Sequence, residues 1–383
     1  MHVLKHPILT LCVILCGLGC EEANLLGAQD VLIYGFNAQT QEYNLHQSRL
    51  ETLENARRIR GGAAKLRGGA SLNVETLALS GDLDFKTEAA ARDFDLVSGD
   101  HAVWAQYEVR NNVIHPIDWE SLTMFSFYHH VENGLAFYES LGVPQSALGQ
   151  LVSHFQVRVS SALLGGLPLV GKNAAYTPID DTLLLFPDFT ESNRIPLVMN
   201  EGVIIHELSH AIKHRIIHGE NRLPIPLLEQ WEDFALNSYS SDDEGIADFF
   251  ASLYTQNTNF IDLSIKDDQI DRDIAVERPF TQELYDALLE KSLTYDPYPL
   301  GSAIASWLYA IGQNDQDKIL NVAQALVQTL INLPAQLDNT YQFHILSAAL
   351  IERLPAELAD EACVLLESRL QGDFRNEAAC DIE

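Results

Sequence analysis

Val203-Ile204-Ile205-His206-Glu207-Leu208-Ser209-His210-Ala211-Ile212 sets a His-Glu-x-x-His motif inside an apolar run with helical spacing. His206 and His210 are four apart, so a helix projects them from one face about one turn apart. Two neutral imidazoles at that spacing chelate one zinc ion. Glu207 is rotated off that face yet stays within reach of a water on the metal, which suits a general base that is not a ligand. Val203, Ile204, Leu208, Ala211 and Ile212 supply the buried side, Pro196 marks a start and Gly219 a stop. So short a motif also arises by chance, and two histidines on an amphipathic helix can be plain polar-face or core residues. The rest of the chain has to decide.

At 383 residues with 47% hydrophobic content, the chain can build one large domain or two lobes around a substantial core. The formal net charge of −30 repels duplex nucleic acid and anionic membrane surfaces, which argues against both as partners. Acidity on this scale speaks to solubility rather than to a site.

His2, Lys5 and His6 form a weakly basic start, and residues 8–18 are an apolar run too short to span a bilayer. That order reads as a signal peptide over residues 1–20. Gly17-Leu18-Gly19-Cys20 followed by Glu21-Glu22 resembles a bacterial lipoprotein signal, in which the cysteine becomes the lipidated first residue. Gly17 departs from the larger aliphatic residue usual there, and small residues at 17 and 19 also suit ordinary cleavage. The expectation is export, with a lipid anchor at Cys20 as the sole membrane attachment. Cys12 and Cys16 leave with the signal, so Cys363 and Cys380 remain, and two cysteines in an exported chain suggest a disulfide. Cys363 beside Val364, Leu365 and Leu366 reads equally as a buried thiol.

Residues 21–115 read as a β-rich or linker region, or as a prosegment. Val31-Leu32-Ile33-Tyr34 suggests a strand. Ser48-Arg49-Leu50-Glu51 is a capping-box pattern that predicts a short helix carrying Leu50, Leu53, Ala56 and Ile59, stopped at Gly61-Gly62. The basic cluster over residues 57–69 has an RGG-like look, but export favours a solvated helix end and a flexible linker. Alternation predicts strands over 103–109 and 155–159, with others at 173–176 and 182–186. A long helix is predicted over 119–141, with His129 and His130 as structural residues because neighbours on a helix diverge by about 100°. Helical patterns also cover 300–311, 316–332, 340–353 and 356–370.

A catalytic zinc takes three protein ligands and keeps one position for water. The helix turns His214 and His218 progressively off the site. Asp242-Asp243-Glu244-Gly245-Ile246-Ala247-Asp248-Phe249-Phe250 offers a better third ligand. It reads as a helix start on which Glu244 and Asp248 share a face. Glu244 would bind the metal, and Asp248 would accept a hydrogen bond from the non-ligating nitrogen of a zinc histidine. The competing reading is an acidic first turn favoured by the helix dipole.

His-Glu-x-x-His followed by Glu-Gly-x-x-Asp-Phe-Phe resembles the thermolysin-type metallopeptidases, the gluzincins. The resemblance implies Glu244 as third zinc ligand and Asp248 as its supporting carboxylate. Asn173-Ala174-Ala175-Tyr176 is similar to that group's Asn-Ala-aromatic edge strand, which implies that Asn173, Ala174 and Ala175 pair with a peptide substrate's backbone. A plain strand start is the other reading of this segment. The resemblance covers roughly 115–312, and only the zinc helix and the Glu-Gly-x-x-Asp segment are specific. The family's oxyanion-stabilising His has no counterpart here, since the only His beyond residue 218 is His344. Aligning the segment at 296–303 brings Tyr298 near that place, where a phenol can donate to an oxyanion, unless it is simply a turn residue at a helix start. The interval from His210 to Glu244 is longer than in thermolysin and contains Asn221-Arg222-Leu223-Pro224-Ile225-Pro226, read as a loop that reshapes the cleft.

These readings imply an α+β fold with a gluzincin-like catalytic core over 116–312. An N-terminal mixed sheet with helices would carry the edge strand, and a mainly helical C-terminal region over 313–383 would close the cleft. The implied activity is that of an exported endopeptidase with one catalytic Zn2+, acting on peptide or protein substrates. Two other readings stand beside it: a zinc-bearing surface lipoprotein that binds a partner without cutting it, and a zinc amidase acting on cell-wall peptides.

Overall fold

The computed structural model describes residues 27–37, 40, 42–74, 94–97, 99, 101–161, 167–169, 174–178, 180–187, 194–219, 231–265, 272–292, 294–313, 315–377 and 380. The signal reading at 1–20 with Cys20, the substrate-strand residue Asn173 and the loop at 221–226 lie outside these residues.

The fold is α+β, with mixed sheets beside a helical C-terminal half. One four-stranded sheet holds β1 (Gln29–Asn37), β2 (Glu42–Leu50), β9 (Tyr107–Arg110) and β10 (Val113–Pro116) in the order β2-β1-β10-β9. The largest sheet contains β3 (Leu53–Asn55), β4 (Arg60–Gly61), β5 (Ala64–Gly68), β11 (Leu151–Phe155), β14 (Ala174–Thr177) and β15 (Thr182–Leu185), with β8 (His101–Ala102) paired to β5. Its order is β14-β15-β11-β5-β4-β3, which puts β14 at the edge. β6 (Ser71–Val74), β7 (Phe94–Val97), β12 (Arg158–Ser161) and β13 (Leu167–Leu169) form a third sheet.

The helices are α1 (Trp119–Ser140), α2 (Glu201–His218), α3 (Asp233–Thr255), α4 (Gln282–Ala287), α5 (Tyr298–Ala310), α6 (Gln316–Asn332), α7 (Phe343–Ile351) and α8 (Ala356–Arg369). Asp118 caps α1 by accepting from Ser121 N at 2.7 Å. Asn200 does the same for α2, accepting from Gly202 N at 3.0 Å, while Pro196 instead opens a 3-10 turn just before it. Gly219 ends α2 with φ of 56°, a left-handed value that favours glycine. Val203, Ile204, Leu208, Ala211 and Ile212 are buried as the motif's spacing requires. No helix among the described residues is long and apolar enough to cross a membrane.

Several local expectations are corrected. Residues 48–59 form the end of β2, then β3, then a turn, and no helix. Leu53 and Asn55 are buried with Glu54 exposed between them, the alternation of a strand, and Glu132 of α1 accepts from the Glu51 and Thr52 amides that a helix would have used. The basic segment after Arg57 is likewise no linker, since it supplies β4 and β5 to the largest sheet. Over 103–109 the strand begins only at Tyr107. The predicted strand at 155–159 is broken at Gln156, whose φ of 56° turns the chain from one sheet to the next.

Asp242 and Glu244 do not open a helix either; they lie inside α3. Small polar residues imitate a start signal there, but they are buried and bonded sideways. Ser241 pairs with Tyr295 OH at 2.7 Å, and Asn237 donates to Leu288 O and Glu290 O at 3.1 and 3.0 Å. The disulfide is present, joining Cys363 to Cys380 with Cα atoms 5.8 Å apart.

Candidate metal centre

α2 and α3 cross with His206, His210 and Glu244 facing one another, their ligand atoms all within 4.8 Å. His206 Nε2 lies 3.1 Å from His210 Nε2. Glu244 Oε2 lies 3.2 Å from His206 Nε2 and 3.8 Å from His210 Nε2. About three turns of α3 precede Glu244, so the acidic-first-turn reading does not apply to it. Glycines let the helices approach: a Cβ on Gly245 would stand 2.6 Å from Gly301 O, and one on Gly301 would stand 2.9 Å from Glu244 Cβ.

The outer ring nitrogens are held by carboxylates. His206 Nδ1 is 2.9 Å from Asp248 Oδ1, the support expected of Asp248. His210 Nδ1 is 2.9 Å from Asp243 Oδ2, a contact the sequence reading did not anticipate. Protons on both Nδ1 atoms leave two Nε2 lone pairs facing each other and a carboxylate oxygen. Glu244 Oε2 is itself buried against these two ring nitrogens. A cation between the three atoms would satisfy all of them at once, so this donor set fits a divalent metal.

Charge in the site follows from these contacts. Burial would raise the Glu244 carboxyl, but His210, His206 and Arg272 outweigh it and hold it at about 2. Asp248 is likewise held at about 2, where burial is overcome by Arg272 and His206. Burial disfavours the His206 imidazolium, yet Asp248 and Glu244 push that ring up to about 10. Without a metal His206 therefore keeps a second proton, which a cation bound between the three atoms would displace.

Glu207 is 8% exposed beside this trio. Its Oε2 accepts a hydrogen bond from Tyr176 N at 2.8 Å, so the edge strand β14 holds the carboxylate in place. Burial raises the Glu207 carboxyl, Glu244 adds to that, and the shift survives the opposing pull of His206, His210 and the Tyr176 amide. Tyr176 is anchored in turn, its OH donating to Asp181 Oδ1 at 2.8 Å and meeting His214 Nδ1 at 3.1 Å. His214 therefore stays off the metal trio, as the helix geometry predicts.

Ala174 and Ala175 lie on β14 as expected, antiparallel to β15. Tyr298 is the first residue of α5, and its ring lies 4.5 Å from the Arg272 guanidinium. Arg272 in turn reaches Asp248, His206 and Glu244, the last at 4.0 Å. Asp243, Lys213, Arg272 and the Tyr176 amide were not found from sequence. Arg272 belongs to no motif, and a main-chain amide carries no residue signature. Asp243 stood in plain view beside Glu244. With Glu244 taken as a ligand, its neighbour near the other histidine was the available signal.

No protein-family model matches the chain, and no curated protein matches it.

Proposed function

We propose that the protein is an exported zinc-dependent endopeptidase of the gluzincin kind, with Glu207 as general base. The carrying observation is the convergence of His206 Nε2, His210 Nε2 and Glu244 Oε2 with the Glu207 carboxylate beside them. His206, His210 and Glu244 would hold the ion. Bound zinc would act as a Lewis acid that acidifies water and polarises a carbonyl. The remaining work belongs to side chains. Asp248 and Asp243 hold the two imidazoles so that Nε2 faces inward. Glu207, raised by burial, takes a proton from the attacking water and returns it to the leaving amine. β14 offers a peptide backbone an edge to pair with, through Ala174 and Ala175, and Asn173, next to them in sequence, would join that pairing. Tyr298 donates to the developing oxyanion, its ring steadied by Arg272. Lipidation at Cys20 would anchor the enzyme to a bacterial membrane, on the periplasmic or cell-surface side.

The test pairs zinc stoichiometry with cleavage of a mixed peptide library, for wild type and Glu207→Gln, with and without chelator. The expected result is one zinc per chain in both proteins and cleavage only in wild type. The loss expected in kcat is about 10²–10⁴-fold, the usual contribution of a general base. Full activity in the variant removes the mechanism. Zinc without turnover points to a binding lipoprotein, and cleavage confined to cell-wall peptides points to an amidase.

A further inference from the structure

Lys213 is 2% exposed, an environment that strongly disfavours an ammonium without a partner. It lies on α2 three residues beyond His210, so the helix brings the two to neighbouring positions. Its Nζ is 3.0 Å from Asp243 Oδ1 and 4.0 Å from the centroid of the Tyr239 ring. The other Asp243 oxygen, Oδ2, is the one 2.9 Å from His210 Nδ1. One carboxylate therefore joins a buried cation to the outer nitrogen of a metal-site histidine. His206 has the same arrangement built from other residues. Its Nδ1 meets Asp248, Asp248 is paired with Arg272, and Arg272 lies over Tyr298.

We propose that Lys213 is a positioning residue for the metal site, acting through Asp243 on His210, so that two separate carboxylate–cation clamps hold the two histidines. This rests on the metal-site reading given above. Asp243 is the less enclosed of the two carboxylates, its side chain 29% exposed against 1% for Asp248. An anion in that position is drawn toward water, and Lys213 is what holds it against His210. With neutral histidines and Glu207 ionised as the base, the carboxylates of Glu207, Asp243, Glu244 and Asp248 and the cations of Lys213 and Arg272 leave two net negative charges to face a dication. Loss of Lys213 frees Asp243 to turn outward, and His210 loses the acceptor that fixes its tautomer. Loss of the Asp243 charge leaves a buried ammonium near the metal without its paired carboxylate, supported only by the Tyr239 ring and the more distant Asp242 carboxyl. Removing both avoids that second penalty, so the two effects must be coupled.

The experiment measures the zinc dissociation constant of the full chain by chelator competition, with the melting temperature of each metal-free protein alongside. The proteins are wild type, Lys213→Met, Lys213→Arg, Asp243→Asn and the Lys213→Met/Asp243→Asn double variant. Lys213→Met and Asp243→Asn should each weaken zinc by roughly 10–100-fold, the usual effect of losing a partner behind a metal ligand. Lys213→Arg should stay within a few-fold of wild type, and the double variant should bind zinc at least as tightly as Asp243→Asn alone. A folded Lys213→Met protein with wild-type zinc affinity overturns the proposal, even if its metal-free melting temperature falls. Should Lys213→Met not fold, comparing Asp243→Asn with the double variant decides, and a double variant that binds zinc more weakly than Asp243→Asn overturns the coupling. A wild-type chain that binds no zinc overturns the metal-site reading and the clamp with it. Normal zinc binding and cleavage with an inert Lys213 overturns the clamp alone.

Discussion

Glu201 opens α2 at 8% exposure, with Tyr43 OH donating to its Oε1 at 3.4 Å and His130 Nδ1 3.8 Å from its Oε2. Burial pushes its carboxyl from the ordinary 4.5 up to about 7, against a smaller opposing effect of the Tyr43 hydrogen bond. A raised folded-state pKa means that the folded protein binds this proton more tightly than the unfolded chain does. The associated stability is therefore complete below about pH 4.5 and is lost as pH climbs through about 7. A shift of this size corresponds to about 3 kcal/mol. Glu201→Gln should thus match wild type near pH 4 and exceed it by about that amount at pH 8, measured by denaturant unfolding at both values. Parallel pH profiles for the two proteins would contradict this. The two histidines and the carboxylate of the candidate metal trio were readable as residues because helix periodicity fixes which positions share a face. Glu201, Lys213 and Arg272 were not, since their environments are set by contacts across 158, 30 and 24 residues of sequence to Tyr43, Asp243 and Asp248.

The long helices were legible, and so were the strands β1, β14 and β15, whose apolar runs carry their own signal. α1, α6 and α8 fall close to their predicted bounds because each carries its own periodic stripe and its own punctuation. The segment after Ser48 carried a helix signal, and tertiary pairing overrode it: Glu132 and the neighbouring strands take the hydrogen bonds the helix would have made. The glycine of Glu-Gly-x-x-Asp has an element-scale reason as well. Gly245 and Gly301 let α3 and α5 touch backbone to backbone directly behind Glu244. Gly301→Ala would place a methyl 2.9 Å from Glu244 Cβ and 3.1 Å from Ser241 O, so one helix must retreat. The expected cost is about 1–3 kcal/mol of stability, the usual range for overpacking. Zinc should weaken as well, because the shift acts on the helix that carries a ligand. Gly149→Ala, where a new Cβ meets nothing within 4 Å, is the control. Equal melting temperatures and equal zinc affinities for the two variants would refute the close-packing argument.

At the scale of the whole molecule, β3, β4, β5 and β8 of the N-terminal region are built into the sheet whose edge strand β14 lies beside the site. A boundary near residue 115 is crossed twice: β5 pairs in parallel with β11, and β6 pairs in parallel with β12. Parallel pairings between distant strands leave no local trace in sequence, which is why this region, read as β-rich or as a linker or prosegment, could be assigned no partners. Its side chains also fill the common core. Val31, Ile33, Leu50, Leu53, Ile59, Leu66 and Ile114 are all at most 2% exposed, in one cluster with Phe125, Phe127, Tyr128 and Val131 of α1. Burying each such aliphatic chain contributes roughly 2 kcal/mol. Seven of them are comparable with the whole net stability of a typical domain, about 5–15 kcal/mol. A chain starting at residue 116 should therefore not fold. It would expose the edge of β11 that β5 covers and the face of α1 that β1 covers, and through α1 it would loosen the packing of α2, where Tyr138 OH bonds Ser209 Oγ beside the metal ligands. Expression of residues 116–383 should yield aggregated protein, or a form without cooperative thermal unfolding and without stoichiometric zinc. A soluble fragment that melts cooperatively and holds one zinc would show that the N-terminal sheets are dispensable, as a removable prosegment would be.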